Sequence, residues 1–286
     1  MVCRVSVRRR TLGHALVVLA ALSTVAGGTA ALLRSNRTVD DGFTSVALGG
    51  YVHARVILPP GYDDSTTRRY PVVYFLHGLP ATSTSYLGNA WLEQAVQSAG
   101  PAILVLPQGA RDADTDPEYL DWGKGRNWAT YVSTELVHHI DARFRTIPSR
   151  SGRAIIGLSA GGYGATILGL NHLDRYSVIE SWSGYFHPTD PTGTKALARG
   201  PLAIAHRLIP DLARFQRQRP TFFAFYVGSG DERFEAENVQ LSHELRAAGA
   251  KYVFDVYPGA HETSLWQRHA AHWLGLALAR LAKPTS

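Results

Sequence analysis

A serine hydroxyl attacks a carbonyl only when a base removes its proton and the backbone holds it clear of the packed interior. The pentapeptide Gly157-Leu158-Ser159-Ala160-Gly161 meets the second need, because small residues two before and two after Ser159 allow the sharp strand-to-helix turn called a nucleophile elbow. It follows a short apolar run, and Gly161-Gly162-Tyr163-Gly164-Ala165 supplies small residues for tight packing of the next helix onto a sheet. Ser159 is therefore the expected nucleophile, against an alternative in which the glycines merely permit a turn. Downstream, Asp231 in Gly228-Ser229-Gly230-Asp231 and His261 in Gly259-Ala260-His261 each follow an apolar run, giving the chain order Ser, acid, His. In that scheme His261 takes the Ser159 proton and returns it to the leaving group, while Asp231 fixes the imidazole tautomer and stabilises its charged form. The rivals are Glu232 and Asp255 for the acid and His187, His269 and His272 for the base; these histidines follow the wrong strand or sit inside a helix.

The oxyanion that develops on the attacked carbonyl needs two donors. The backbone N–H of Ala160, at a helix start, is one candidate, and the N–H of Leu79 in His77-Gly78-Leu79 is the other. His77 is read as a residue that organises this loop, in preference to a proton carrier.

These residues need a scaffold that brings them together. Apolar, β-branched runs predict strands over 53–58, 72–76, 102–106, 153–158, 178–182, 222–227 and 252–257. Helix-length stretches alternate with them over 90–99, 131–144, 162–171, 235–248 and 265–282. Such alternation predicts an α/β fold, with a mainly parallel sheet covered by helices on both faces. Reactive groups in such sheets gather at the carboxyl ends of the strands, where the suggestive residues fall. The segment 189–220, carrying Pro191, Pro201, Pro210 and Pro220 and an amphipathic stretch around 196–208, interrupts the alternation and reads as a short cap, either a lid or a static insertion.

With 286 residues, 45% hydrophobic and 18% charged, and no linker near its middle, the chain is expected to hold one catalytic domain over 44–286 behind an N-terminal extension over 1–43, of which 34–43 reads as a linker. Arg4, Arg8, Arg9 and Arg10 stand directly before an uncharged apolar run over 11–33, the order of an export signal. A cleaved signal peptide, with Gly28-Thr29-Ala30 offering a cleavage site, and a retained membrane anchor both fit; either places the catalytic part outside the cytoplasm. Those four arginines account for most of the formal net charge of +6, and no basic stripe follows any element, so nucleic acid is not an expected partner. The single cysteine, Cys3, precedes the apolar run, which excludes disulfides and thiol catalysis beyond it. No metal or cofactor is expected: His138 and His139 point to different helix faces, and the acidic loop 111–116 lacks the spacing of a calcium loop.

The segments 72–78 (VVYFLHG), 157–164 (GLSAGGYG), 228–231 and 259–262 resemble the α/β-hydrolase esterase group that includes esterase D/S-formylglutathione hydrolase, the enterochelin esterases and the mycolyltransferases. The resemblance covers about 44–283 and implies the α/β-hydrolase fold, a Ser159–Asp231–His261 triad and an acyl-enzyme. Export, the Tyr119-Leu120-Asp121-Trp122 segment and Ser181-Trp182-Ser183-Gly184-Tyr185 lean toward the mycolyltransferases. His77-Gly78, the general esterase form, leans away from them. Three readings follow: hydrolysis of small-molecule or lipid carboxylic esters, acyl transfer to a sugar or lipid hydroxyl, and a non-catalytic binding protein on the same scaffold. Trp122, Trp182, Tyr185 and Trp266 fall in or near loops on the catalytic edge and are candidate substrate-pocket residues, with core packing as the competing role.

Overall fold

Strands buried on both faces are mostly apolar, and the central strands here follow that rule apart from Glu180 and Ser181 in Val178–Trp182 and Arg153 at the start of Arg153–Leu158. A computed structural model of the chain describes residues 36–189 and 200–285. Its eight strands are β1 (Arg37–Ser45), β2 (Gly50–Leu58), β3 (Val72–Leu76), β4 (Ile103–Pro107), β5 (Arg153–Leu158), β6 (Val178–Trp182), β7 (Phe222–Gly228) and β8 (Val253–Tyr257). They form one sheet in the order β1-β2-β4-β3-β5-β6-β7-β8, antiparallel at β1–β2 and β2–β4 and parallel elsewhere. The strand order reverses on either side of β3, so β3 and β5 flank the crevice where ligands of open α/β sheets bind.

The helices are α1 (Leu92–Ala99), α2 (Trp128–Thr130), α3 (Leu136–Arg143), α4 (Ala160–Asn171), α5 (Ala205–Gln216), α6 (Glu235–Ala247) and α7 (Thr263–Arg280), with a π-helical turn at Tyr131–Glu135 joining α2 to α3. Two cores result. Val73 and Phe75 of β3 face α1 and α7, with Leu92, Val96 and Leu274, while Val72, Tyr74 and Leu76 face the other side, with Leu136 of α3, Ile167 of α4, Leu208 of α5 and Leu241 of α6. This period-2 division of one strand between two helix layers is the expected α/β arrangement. α4 is buried over nearly its whole length. Glycine lets it approach the sheet: a Cβ on Gly169 would meet the Ile179 side chain at 2.6 Å.

Two expectations change. Most of 34–43, read as a linker, is β1, paired along its full length with β2; Val39 and Phe43 pack against the core. As an exposed antiparallel edge, β1 needs no continuous apolar run, so its polar sequence hid it. The segment 189–220, read as a cap, contributes α5 and the crossover from β6 to β7, which restores the strand-helix alternation despite Pro210 inside the helix. Residues 190–199 of that segment lie outside the described residues, as does the apolar run 11–33. Among the described residues, no helix is long and apolar enough to cross a membrane.

Candidate active site

Ser159 stands between β5 and α4 with φ 53° and ψ −125°, a conformation rarely adopted by a residue with a side chain. Its neighbours hold it there: its N–H donates to Trp182 O at 2.9 Å, and its carbonyl accepts the Tyr163 N–H at 3.1 Å. Gly157 and Gly161 make the bend possible, since a Cβ on Gly157 would lie 2.1 Å from Gly161 O. The hydroxyl is consequently raised at the carboxyl edge of the sheet, on the N-terminus of a twelve-residue helix.

The other two residues converge on it. His261 Nε2 lies 2.8 Å from Ser159 Oγ, and His261 Nδ1 lies 2.6 Å from Asp231 Oδ2. Asp231 is buried, whereas the His261 side chain remains 14% exposed. The loop after β7 is tied to the end of β8 and to the loop beyond it by Ser229 N–H donating to Tyr257 O and Gly230 N–H donating to Gly259 O, each at 2.8 Å. Gly228 and Gly259 permit that approach: a Cβ on Gly228 would lie 2.4 Å from Gly259 O, and Gly259 has φ 143°. An acid, an imidazole and a hydroxyl in this linear order can pass the hydroxyl proton to Nε2 while the carboxylate holds the Nδ1 proton. Phe234 and Trp266 flank the imidazole nearly edge-on, each with its centroid 5.2 Å away.

The loop at 77–79 abuts the elbow: a Cβ on Gly78 would come within 3.3 Å of Ser159 Cβ. Among the described residues, neither the Leu79 nor the Ala160 N–H donates to a backbone carbonyl. His77 organises this loop, as expected. Its Nε2 accepts the Gly109 N–H at 3.0 Å, which leaves Nδ1 to donate to Gly78 O at 2.8 Å. Burial lowers its pKa, so the ring stays neutral.

The candidate pocket residues divide. Trp266 touches His261 and is half-buried. Trp182 does not line a pocket: β6 turns it into the core beneath α1 and α7, fully buried between Phe75 and Tyr226. Tyr185 is also buried, stacked on Tyr163 and packed against Phe234, one layer behind the imidazole. Trp122 donates from its indole to Pro117 O at 2.7 Å and lies under the Arg126 guanidinium. Sequence reasoning did not single out Phe234 or Glu118, and took Tyr119 and Ser183 only as members of the segments 119–122 and 181–185. Phe234, three residues after Asp231, had a positional signal; Glu118 had none.

Several of the side chains considered as metal ligands have protein partners. His139 Nε2 pairs with Asp41 at 2.9 Å. Asp114 of the acidic loop accepts Arg126 and the Trp128 indole, and Asp112 accepts Ser83. Among the described residues, no group of three or more His, Cys, Asp or Glu is arranged to hold a metal ion.

A family model described as "Putative esterase" matches residues 45–272. Esterase Rv1288 of Mycobacterium tuberculosis is 32% identical over 143 residues, which cover 50% of this chain and 31% of that protein. S-formylglutathione hydrolase of Rattus norvegicus is 27% identical over 172 residues, covering 54% of this chain and 59% of the relative. In both cases the chain matches less than two-thirds of the relative's length. Among solved structures, an S-formylglutathione hydrolase from Agrobacterium tumefaciens superposes with a TM-score of 0.73 at 19% identity, covering 87% of this chain and 96% of the other. At that identity the likeness is one of fold, and the fold is that of the α/β-hydrolases.

Proposed function

The chain belongs to this esterase family, and we propose that it is an exported serine hydrolase that cleaves carboxylic esters through an acyl-enzyme on Ser159. The observation that carries the reading is the unbroken chain from Asp231 through His261 to Ser159 Oγ, at 2.6 and 2.8 Å, ending on a strained elbow. As Oγ attacks the ester carbonyl, His261 Nε2 takes its proton. The negative charge that forms on the carbonyl oxygen is stabilised by the N–H groups of Ala160 and Leu79; a single donor of this kind is worth about 3 kcal/mol in comparable sites. His261 then protonates the leaving alkoxide, and the acyl group stays on Ser159. Water enters, gives a proton to His261 and attacks the acyl carbon; collapse of the second intermediate returns the proton to Oγ and frees the carboxylic acid. Asp231 keeps its negative charge throughout and holds the Nδ1 proton. Export rests on the arginine-led apolar run over 11–33.

The test is covalent labelling. The protein is expected to react with a fluorophosphonate and to hydrolyse p-nitrophenyl acyl esters, and Ser159→Ala is expected to lose both. Labelling that survives Ser159→Ala would overturn the assignment, and no labelling at all would favour the non-catalytic reading. New acylated trehalose or glycerol at undiminished ester consumption would identify a transferase using the same intermediate.

A further inference from the structure

Glu118 and Tyr119 are consecutive non-glycine residues in the left-handed region, with φ of 54° and 52°. Each reaches a different side of the candidate site. Tyr119 is fully buried, and its hydroxyl donates to His77 O at 2.7 Å, within the loop that carries the Leu79 amide. Its ring occupies space left by two glycines: a Cβ on Gly164 would lie 2.6 Å from that ring, and one on Gly109 would lie 2.5 Å from its hydroxyl. Glu118 is 1% exposed. Its Oε2 accepts the Tyr185 hydroxyl at 2.6 Å, and its Oε1 accepts the Thr189 N–H at 3.2 Å and the Thr189 hydroxyl at 3.3 Å. Tyr185 stacks on Tyr163 in the first turn of α4 and packs on Phe234, the ring that flanks His261. One strained dipeptide thereby spans the oxyanion loop and the wall behind the imidazole.

We propose that Glu118 is a positioning residue for the Ser159 site: its carboxylate holds Tyr185 and Thr189, and through Tyr185 and Phe234 it sets the wall against which His261 is aligned. The inference rests on the esterase reading above. Three donors converge on two oxygens, an arrangement that suits an ionised carboxylate; a protonated carboxyl must instead place a proton of its own among them. Burial pushes the Glu118 pKa up to about 7, against the bonds from Tyr185 and Thr189, with the charge of Asp116 acting in the same direction as burial. The other titratable groups facing it are Tyr185, Tyr119 and, on the stretch after β6, His187. A carboxyl with a raised pKa is ionised above that value and protonated below it. The ordered wall is therefore present above about pH 7 and loosens as pH falls through it.

The test compares wild type with Glu118→Gln, which keeps the shape and cannot ionise. In kcat/KM for a p-nitrophenyl ester followed from about pH 5 to 9, the acid limb of the wild type is expected to contain two protonations and that of Glu118→Gln one. At pH 8 the variant is expected to lose roughly 3- to 10-fold in kcat with little change in KM. Superimposable profiles would overturn the proposal. A second arm does not depend on turnover: with carboxyl-13C glutamate in the protein, one resonance, absent from Glu118→Gln, is expected to titrate near 7. Tyr185→Phe, which deletes a donor and leaves the carboxyl, is expected to move that midpoint upward. A midpoint in the ordinary carboxylate range, or one unmoved by Tyr185→Phe, would overturn the inference while leaving the esterase reading intact. An inactive wild type whose Glu118 resonance still titrates near 7 would sink the esterase reading, and with it the positioning role.

Discussion

Trp266 meets the His261 ring edge-on at 88°, with centroids 5.2 Å apart, while its indole N–H donates to the Ser183 hydroxyl at 3.0 Å. Ser183 is itself held at φ 49° and donates its backbone N–H to Tyr226 O at 2.7 Å, so the indole is anchored to the end of the sheet. Small displacements of a base relative to its nucleophile cost rate steeply. Trp266→Phe, which keeps a ring and loses the anchor, is expected to lower ester turnover several-fold. Trp266→Ala is expected to lower it by about 10- to 100-fold, mostly in kcat. Fluorophosphonate labelling rates, read alongside the unfolding midpoint, check this; rates equal to wild type would show that the indole does not align the imidazole.

Asp231 Oδ2 meets Nδ1 of a ring that also touches Phe234 and Trp266. An amide in its place can donate to Nδ1 and so favour the wrong tautomer, with Nε2 protonated and unable to accept the Ser159 proton. Asp231→Asn is expected to reduce kcat by about 10³- to 10⁴-fold while the protein stays folded. Steady-state kinetics on a p-nitrophenyl ester decide it, and a loss under tenfold would move the acid role elsewhere, Glu232 being the adjacent candidate.

The strands that lead to Ser159 and Asp231 were legible because both-face burial writes itself as long apolar runs, whereas β8, which leads to His261, is a half-buried edge with Asp255 in it; the bounds expected for β3, β5 and β6 match those observed. The same reasoning was blind where burial and polarity part. β1 is polar because it forms an exposed edge, and Pro210 hid a helix that tolerates it. Glu180 lies fully buried inside β6 and accepts the Trp182 indole N–H, with desolvation holding its pKa well above the ordinary carboxylate range. Trp182 and Trp266 look alike in sequence, and only the side of the sheet or helix on which each falls separates a core residue from a neighbour of His261. Glu118 and Tyr119 adopt left-handed backbone without the glycine or asparagine that would have announced it.

The elbow's tolerance for added atoms is expected to be sharply local. A Cβ on Gly161 would lie 2.1 Å from Leu76 O and 2.6 Å from His77 O, both backbone atoms of β3 and the 77–79 loop, and neither can turn aside as a side chain would. Gly161→Ala is expected to cost about 3 kcal/mol or more, or to prevent folding. At Gly88 a Cβ meets nothing within 4 Å, so Gly88→Ala is expected to stay within about 0.5 kcal/mol of wild type. Urea unfolding of the two variants makes the comparison, and similar midpoints would contradict the close packing of α4 on the sheet.

Glu237 on α6 joins two histidines from different segments: His187 Nδ1, after β6, bonds to its Oε1, and His206 Nε2, on α5, lies 3.2 Å from the same oxygen. His206 Nδ1 also meets Glu244 Oε2 at 2.6 Å. The bond to Glu237 raises the His187 pKa; for His206, burial pulls down but the bonds to Glu237 and Glu244 outweigh it. Burial pushes the Glu237 pKa up, and the two histidines more than reverse that. A histidine raised above its unfolded value near 6.5 contributes its full stability below that pH and loses it as pH rises through the folded value. The lowered carboxyl contributes above its unfolded value near 4.5 and loses that as pH falls through the folded one. The cluster is therefore strongest between about pH 5 and 6.5. With the His187 side chain 37% exposed, solvent screening leaves most of the effect to His206. Glu237→Gln is expected to cost about 1 to 2 kcal/mol at pH 6 and clearly less at pH 9. Urea unfolding at the two pH values measures the difference, and an equal loss at both would mean that Glu237 acts through packing and not through its charged partners.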